Sequence, residues 1–312
     1  MKVLLTLGYY EGGGFTTVVN MLSKYLQKYG INVTVAARVI RIKPPDYVKL
    51  IKLDPNDFAK IVNEYDVIHV HQSYPYMNIA AKLKLTNVLF TSHGFPPIWI
   101  VPGTTNKLIH MYLNYIGYKQ IFKKYKPTTT AISRYVQNQL KRIYNIDAVV
   151  IPNGIDIELF KLSKEAQKPG YPTLINVTSY NKFKGSDMLL KSFIAIKRKY
   201  SGAKLIARGL SKAERIPRSI RNDIIDLDFM PYEELVKWYA KADIYLLTSR
   251  WESFGLPILE AFASGVPVIA WDRPDARREH ILESGAGILV KNEKELLTAV
   301  DQILRNYDEY SR

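Results

Sequence analysis

The feature that most constrains the fold of this chain is an alternation of short β-branched or apolar runs with helical patterns, which is interrupted near residue 165 and then starts again. Alternation of this kind is typical of parallel, doubly wound sheets. We predict strands near 2–7, 31–37, 66–71, 87–92, 127–132 and 147–151, then near 173–178, 203–207, 225–229, 243–247, 266–270 and 286–290. We predict helices near 15–29, 56–64, 75–85, 106–125 and 133–143, then near 185–199, 232–241, 256–264, 274–283 and 293–306.

The break between the two series has the composition of a linker. The stretch ELFKLSKEAQKPGYP is charged, has no strong hydrophobic period and ends in Pro-Gly-Tyr-Pro. A chain of 312 residues also exceeds what one hydrophobic core normally serves. We therefore predict an α/β protein of two Rossmann-like domains, residues 1–160 and 173–312, joined by a linker at 161–172.

Composition limits the compartment and the chemistry. The chain has no cysteine, which excludes disulfides and thiolate metal sites. No apolar run approaches the roughly 18 residues of a spanning helix, and MKVLLTLGYYEGGG does not look like a secretory signal. We expect a cytoplasmic protein.

The positive charge is concentrated in the first half. The net charge is +15, and residues 1–160 carry 19 Lys/Arg against 9 Asp/Glu. The stretch KLIHMYLNYIGYKQIFKKYK, residues 107–126, has five Lys and no acidic residue. It predicts an amphipathic helix, which either packs on the core with a solvated basic face or also touches anionic lipid. Nucleic acid is not expected, because the chain has no recognition motif for it.

Ligands of doubly wound sheets bind beyond the carboxyl ends of the strands. In the first half, Gly13 and Gly14 belong to a Gly-rich turn that either lets a phosphate approach the backbone or is simply flexible. His93 follows the strand at 87–92. In the second half, Lys182 and Lys184 follow the strand at 173–178 and precede a helix, where a cation suits a diphosphate.

The stretch TSRWESFGLPILEAFASGVPVIAW places two carboxylates around a helix start. Glu252 lies on the loop after the strand at 243–247, and Glu260 lies about one turn into the next helix. Free amides at residues 254–256 favour an anion or a sugar oxygen, although two acids here could only stabilise the helix dipole. Because the run after Glu260 is apolar, its carboxylate needs a partner, which a hydroxyl-rich ligand would supply.

These residues resemble a known family. ESFGLPILE is similar to the E-x7-E signature of retaining GT-B glycosyltransferases of family 4, and further stretches of the chain support the resemblance: DVIHVHQ, TSHG, AISRYVQNQL, IPNGID, KGSDMLL and EHILESGAGILV. It implies two Rossmann-like doubly wound domains with a cleft between them. It also implies a retaining, metal-independent hexosyltransferase without a cofactor, whose donor is a UDP- or GDP-linked sugar.

The resemblance also implies roles by motif position. Glu252 would contact the donor sugar near the reacting centre, and His93 would reach that sugar from the first domain. Glu260 would bind the ribose hydroxyls, and Lys184 would hold the diphosphate. The remaining donor-binding positions are Gly13, Gly14 and the amides of Phe254, Gly255 and Leu256.

One departure concerns the diphosphate. In members of the family, a Gly-Arg pair precedes the Lys-Gly pair by a few residues. In this chain, Thr178 and Ser179 occupy the positions of Gly and Arg. Ser179 stays among the donor-binding candidates, and Arg208 or Lys182 could supply the missing charge.

The acceptor is predicted from the first half. The loop GFPPIWIVPG and the Lys-rich stretch suggest a lipid-linked or glycan acceptor and peripheral association with the inner membrane face. Two other functions stay open: a sugar-nucleotide 2-epimerase of the same fold, and a non-catalytic sugar-nucleotide binding subunit, which the lost Arg suggests.

Overall fold

The computed structural model describes residues 1–101, 103–161, 172–178, 182–228 and 230–311. The chain divides into two compact units, Met1–Gly154 and Ile155–Arg312.

The first unit contains a seven-stranded parallel sheet. Its strands are β1 (Lys2–Tyr10), β2 (Asn32–Ile40), β3 (Leu50–Lys52), β4 (Val67–His71), β5 (Val88–Ser92), β6 (Thr128–Ala131) and β7 (Val149–Val150). The order across the sheet is β3-β2-β1-β4-β5-β6-β7. The direction of strand addition reverses between β1 and β4. Leu4 of β1 pairs with Thr34 of β2 on one side and with Ile68 of β4 on the other.

The helices of the first unit connect these strands. They are α1 (Gly14–Lys28), α2 (Pro55–Ile61), α3 (Tyr74–Leu83), α4 (Thr104–Met111), α5 (Tyr118–Lys124) and α6 (Arg134–Tyr144), with a π-helical stretch at Tyr112–Gly117 between α4 and α5. Local sequence fixes several ends. The hydroxyl of Ser133 caps α6 by accepting the amide of Val136 at 3.2 Å, and α6 stops at Asn145 in a left-handed conformation.

The second unit contains a six-stranded parallel sheet. Its strands are β8 (Thr173–Asn176), β9 (Lys204–Arg208), β10 (Ile224–Leu227), β11 (Ile244–Leu247), β12 (Val268–Trp271) and β13 (Gly287–Val290). The order is β10-β9-β8-β11-β12-β13, so the direction of strand addition reverses between β8 and β11. Its helices are α7 (Ile157–Lys161), α8 (Ser186–Lys199), α9 (Leu210–Ala213), α10 (Tyr232–Tyr239), α11 (Leu256–Ala263), α12 (Arg277–Ser284), α13 (Glu293–Arg305) and α14 (Tyr307–Tyr310).

Both faces of the second sheet are buried, which is why its strands read as continuous apolar runs rather than alternating ones. Leu246 packs with Phe193 of α8 on one face, and Leu247 packs with Ile258 of α11 on the other. The sheets are therefore held by helices on both sides, and the carboxyl ends of the strands are left for the loops described below.

The predicted α/β fold with two doubly wound parallel sheets is confirmed. Every predicted strand and helix is present, with ends that differ by three residues or fewer. The sequence missed β3, α7, α9 and α14, whose short patterns carry little period, and it did not predict that a π-helical stretch interrupts the helix near 106–125.

The boundary between the two units along the chain lies between Gly154 and Ile155, six residues before residue 160, where the predicted first domain ends. The reason is that Phe160 of α7 is fully buried in the core of the second unit, where its ring contacts Tyr232 and Tyr239. Most of the predicted linker, residues 162–171, lies outside the described residues.

Candidate active site

The strand order of the second unit brings two predicted site loops together. The loop after β8 carries Lys184 and the loop after β11 carries Glu252, and these strands are neighbours at the point where the order reverses. Open α/β sheets bind ligands at such a point, because the loops on either side of it diverge and leave a crevice.

Lys184 and Glu252 form an ion pair there, with Lys184 Nζ 2.7 Å from Glu252 Oε1. The Glu252 side chain is 8% exposed and that of Lys184 is 24% exposed. Burial acts to raise the pKa of Glu252, but the ion pair with Lys184 and the charge of Arg277 outweigh it and hold the pKa below its usual value. Glu252 is therefore a carboxylate at neutral pH. Its principal partner is Lys184, the residue that is predicted to bind the diphosphate.

Backbone contacts fix the two loops against each other. The amide of Arg250 donates to the carbonyl of Phe183 at 2.9 Å, and a Cβ at Gly185 would lie 2.0 Å from the carbonyl oxygen of Thr248. Gly185 also has a φ of +71°, so both the lack of space for a Cβ and the backbone conformation require glycine at this position. The guanidinium of Arg250 binds Asp187 at the start of α8 through two hydrogen bonds of 2.8 and 2.7 Å.

A second ion pair lies beneath Glu252. Arg277 is completely buried and binds Asp275 through Nε at 2.7 Å and Nη2 at 2.8 Å. The remaining guanidinium contacts go to the carbonyls of Trp271 and Ser249, both at 2.8 Å. Asp275 also accepts the backbone amide of Glu252 at 2.9 Å. The pair thus joins the loops after β11 and β12 and fixes the backbone of Glu252.

Glu260 has different partners from those that the sequence suggested. Its Oε1 accepts the hydroxyl of Tyr232 at 2.9 Å, and its Oε2 accepts that of Tyr239 at 2.6 Å. The carboxylate therefore does not need the hydroxyl-rich ligand that the sequence predicts as its partner, because two tyrosines from α10 already donate to it. Burial raises the pKa of Glu260, and the two tyrosine hydrogen bonds offset only part of that rise.

Arg208 ends β9 and carries the charge that acts on Glu260. Its guanidinium charge lowers the pKa of Glu260 in opposition to burial. Lys182, the other candidate cation, begins a short 3-10 turn at Lys182–Lys184. The donor-binding candidate Ser179 lies outside the described residues.

The helix start at Leu256 follows the predicted pattern. Gly255 precedes α11 with a φ of +92°, and Pro257 occupies the first turn, where its missing N–H costs nothing. Phe254 is buried and packs edge-on against His280 of α12, with ring centroids 4.6 Å apart. The backbone of Phe254, Gly255 and Leu256 is thus held at the N-terminus of α11, beside Glu252.

In the first unit, His93 follows β5 as predicted and belongs to a cluster of three histidines, of which His71 and His93 are buried and His69 is partly buried. His71 Nδ1 and His93 Nε2 are 3.0 Å apart, and the rings of His69 and His71 lie 4.0 Å apart. His69 Nε2 contacts the hydroxyl of Thr91 at 2.6 Å. Burial lowers the pKa of His69 to about 4 and that of His93 to about 3, so both rings are neutral at physiological pH.

The Gly-rich turn lies at the start of α1. The carbonyl of Gly13 accepts the amide of Thr17 at 3.0 Å, and Gly14 is the first residue of the helix. Phe15 follows, and its ring contacts that of His93 at a tilt of 34°, with ring centroids 4.3 Å apart. The turn and His93 are therefore neighbours at one edge of the first sheet.

Several site residues were missed from sequence: Asp275, Arg277, Tyr232, Tyr239, His71 and Gln72. WDRPDARRE and DVIHVHQ contain four of them, and a cluster of charges or histidines directly after an apolar strand is the signal that could have drawn attention to them. The tyrosines of α10 carry no such signal, because they lie 28 and 21 residues from Glu260 and no local pattern indicates the contact.

Within the described ranges, no helix is long and apolar enough to cross a membrane. The same part of the chain contains no group of three or more His, Asp or Glu side chains placed to hold a metal ion.

Comparison with known proteins identifies the family of both units. The profile of Glycosyltransferase Family 4 matches residues 12–159, and that of Glycosyl transferases group 1 matches residues 159–312. An uncharacterized 41.2 kDa protein in the cps region of Klebsiella pneumoniae is 30% identical over 223 residues, which cover 67% of this chain and 60% of that protein. The chain spans about half to two thirds of the length of the curated relatives it matches.

Solved structures with this fold cover nearly the whole chain. Sucrose-phosphate synthase from Thermosynechococcus elongatus matches with a TM-score of 0.75 at 16% identity, over 99% of this chain and 91% of that one. Anabaena HepE in complex with UDP-glucose matches with a TM-score of 0.72 at 16% identity, over 100% and 92%. The chain therefore belongs to the group 1, family 4 glycosyltransferases, and its two parallel-sheet units have the GT-B fold.

Proposed function

We propose that this chain is a retaining, metal-independent glycosyltransferase that moves a sugar from a nucleotide diphosphate sugar to an acceptor hydroxyl. The observation that carries the proposal is the Lys184–Glu252 ion pair at the strand-order reversal of the second sheet. It places a cation for a diphosphate beside a buried carboxylate for a sugar, in the position where sheets of this kind bind ligands.

The ion pair also suggests how the donor is handled. A diphosphate carries more negative charge than one carboxylate, so it competes with Glu252 for Lys184. When Lys184 turns to the diphosphate, Glu252 loses its partner and is left to accept hydrogen bonds from sugar hydroxyls. The buried Asp275–Arg277 pair keeps the Glu252 backbone in place during this exchange, because it fixes the Glu252 amide without touching the ligand.

In the reaction the bond from the anomeric carbon to the diphosphate oxygen breaks, and a bond from that carbon to the acceptor oxygen forms on the same face. The acceptor proton passes to a phosphate oxygen of the leaving nucleotide. Lys184, with Arg208 or Lys182, binds the charge that develops on the leaving group more tightly in the transition state than in the ground state.

A thermal-shift screen of UDP- and GDP-linked sugars tests donor binding. UDP-glucose is the first compound to try, because HepE binds it. A ligand at about 100 times its Kd stabilises the folded state by about 2.7 kcal/mol, which raises the melting temperature measurably. The control is Lys184→Met/Glu252→Gln, which removes both partners of the ion pair and should reduce the shift.

Three outcomes count against the proposal, one from this screen and two from analysis of the donor after incubation with the protein. The absence of a shift with every UDP- and GDP-linked sugar would overturn it. A bound donor that is converted to its epimer without any acceptor would instead establish the 2-epimerase. A bound donor that is never hydrolysed or transferred would establish a non-catalytic binding subunit.

We further propose that the acceptor is lipid-linked and is met at an anionic membrane surface. None of the residues of α4 is buried, and apolar side chains are exposed along α4 and the neighbouring turns: Trp99, Leu108, Ile109, Met111, Tyr112 and Ile116. Lys119, Lys123 and Lys124 are exposed on α5. Apolar insertion and attraction to anionic headgroups add together on such a surface.

Co-sedimentation with vesicles containing phosphatidylglycerol tests the membrane proposal. We expect binding that weakens with salt and weakens further in a Lys119/Lys123/Lys124 triple Ala variant. The matched control changes Lys191, Lys237 and Lys294, three exposed lysines of the second unit, to Ala. Equal losses in both triple variants would show only a net-charge effect, and no binding at low salt would point to an acceptor in solution.

A further inference from the structure

The contact between His71 and His93 raises a question of proton placement. His71 Nδ1 and His93 Nε2 are 3.0 Å apart, so one nitrogen donates a proton and the other accepts it. Both side chains are buried, with exposed fractions of 2% and 6%. Burial lowers the pKa of both rings, which leaves one proton on each at neutral pH.

The second nitrogen of His71 favours one of the two arrangements. Nε2 of His71 is buried and has no hydrogen-bond partner among the described residues. If His93 donated to His71, the remaining proton of His71 would be on Nε2, as a buried N–H without an acceptor. Such a donor gives up its hydrogen bonds to water without replacement, and buried N–H groups without partners are rarer than under-satisfied acceptors.

In the other arrangement His71 donates from Nδ1, and its Nε2 is an acceptor that needs no proton. His93 Nε2 then accepts, so the proton of His93 must be on Nδ1. That nitrogen has no partner within the part of the chain that the structure describes, and an N–H there can serve an oxygen from outside.

The backbone around His93 is held so that this donor keeps one direction. The side-chain oxygen of Gln72 accepts the amide of His93, and its side-chain nitrogen donates to the carbonyl of Gly94 at 2.8 Å. Gln72 itself has a φ of +43°, a conformation that costs energy for a residue with a side chain. Phe15 covers one face of the His93 ring.

We propose that His71 is a positioning residue that fixes His93 in the Nδ1–H tautomer, so that His93 donates a hydrogen bond to an oxygen of a bound ligand. Naming that oxygen as a sugar hydroxyl or a phosphate oxygen rests on the proposed function, whereas the tautomer does not. His93 then acts as a neutral donor and not as an acid or a base.

NMR of the full chain with ¹⁵N-labelled histidine tests the tautomer directly. The chain has five histidines, and substitutions at His71 and His93 assign their signals. At pH 7 we expect the His93 proton on Nδ1 in the wild type. In His71→Leu, which removes the donor, we expect His93 to shift toward the Nε2–H tautomer.

The matched control is His69→Gln, which alters the histidine cluster but leaves the His71–His93 contact. It should leave the His93 tautomer unchanged. A wild-type His93 that carries its proton on Nε2 would overturn the proposal without any variant, so the test does not depend on whether His71→Leu folds. An unchanged tautomer in folded His71→Leu would also overturn it.

Titration with UDP-glucose and UDP tests the ligand oxygen. Loss of one hydrogen bond should weaken binding by about tenfold in His71→Leu. Weaker binding of UDP-glucose alone assigns the bond to a sugar hydroxyl, and equal weakening of both assigns it to a phosphate oxygen. Unchanged affinity for both would overturn the ligand contact. Failure of the wild type to bind either probe would count against the proposed donor and leave the NMR result standing.

Discussion

The two sheets have similar strand orders, but the carboxyl edges of their strands carry opposite chemistry. At the edge of the first sheet, His71 and His93 are buried and neutral, and their neighbours are hydroxyl, amide and aromatic groups. At the edge of the second, Lys184, Glu252, Asp275 and Arg277 form charged pairs. Neutral donors and acceptors suit hydroxyl groups, whereas fixed charges suit a diphosphate.

The fold thus supplies the position of each site, and the side chains supply its chemistry. Within the second edge the difference continues, because its two glutamates are held differently. Glu252 has a cation beside it and a lowered pKa, and Glu260 has two tyrosines and a raised pKa. The predictions below test these differences, starting with the largest effect.

Removing the buried cation should have the largest effect on stability. Arg277→Met leaves Asp275 buried without its partner, which should cost about 3–5 kcal/mol in the free energy of unfolding measured with urea. The matched control is Arg250→Met, because the Arg250–Asp187 pair is 26% and 33% exposed. It should cost about 1 kcal/mol or less. Equal costs would show that burial does not distinguish the two pairs.

The two glutamates should separate in kinetics. Glu252→Gln should reduce kcat for donor hydrolysis by about 100-fold or more, because its contacts strengthen in the transition state. If Glu260 binds the ribose hydroxyls, Glu260→Gln should weaken UDP binding by about tenfold with little change in kcat, since a ribose contact acts in both states. Calorimetry and release of nucleoside diphosphate measure the two quantities. If both variants changed Kd and kcat alike, this division of roles would be wrong.

Arg208 tests the replacement for the missing Gly-Arg motif. If its charge binds the diphosphate, Arg208→Ala should reduce turnover by about tenfold to 100-fold, the cost of one charge-assisted hydrogen bond. Arg218→Ala is the control, because Arg218 is an exposed arginine of the same unit. Wild-type turnover in Arg208→Ala would leave Lys182 as the cation or none at all.

As the pH falls, Glu260 should be protonated before Glu252. Since the pKa of Glu260 is raised and that of Glu252 is lowered, Glu260 takes up its proton first as the pH falls. UDP affinity should therefore fall, by at most about tenfold per pH unit for one proton, before kcat does. The effect should be absent in Glu260→Gln. For stability, the contribution of the Glu252 pair is present above the usual glutamate pKa and is lost as the pH falls through its lowered value.

How far the sequence could predict this molecule depends on the range of the interactions. Strand and helix patterns are local, so the two sheets and the loops that carry Lys184, His93 and Glu252 could be placed from sequence. The tyrosine partners of Glu260 could not, because Tyr239 reaches it from a different helix and no local pattern records that contact. The same holds for the proton on His93, which depends on a neighbour 22 residues away.

The most direct test of the account is a calorimetric comparison of UMP with UDP, and of GMP with GDP, in the wild type and in Lys184→Met/Glu252→Gln. If the charged edge of the second sheet binds a diphosphate, the second phosphate should tighten binding by at least about tenfold in the wild type, as expected for one charge-assisted contact. That advantage should disappear in the double variant, which removes the cation without leaving Glu252 as an unpaired buried charge. Equal affinity for monophosphate and diphosphate in the wild type, or an advantage that survives in the double variant, would contradict the account.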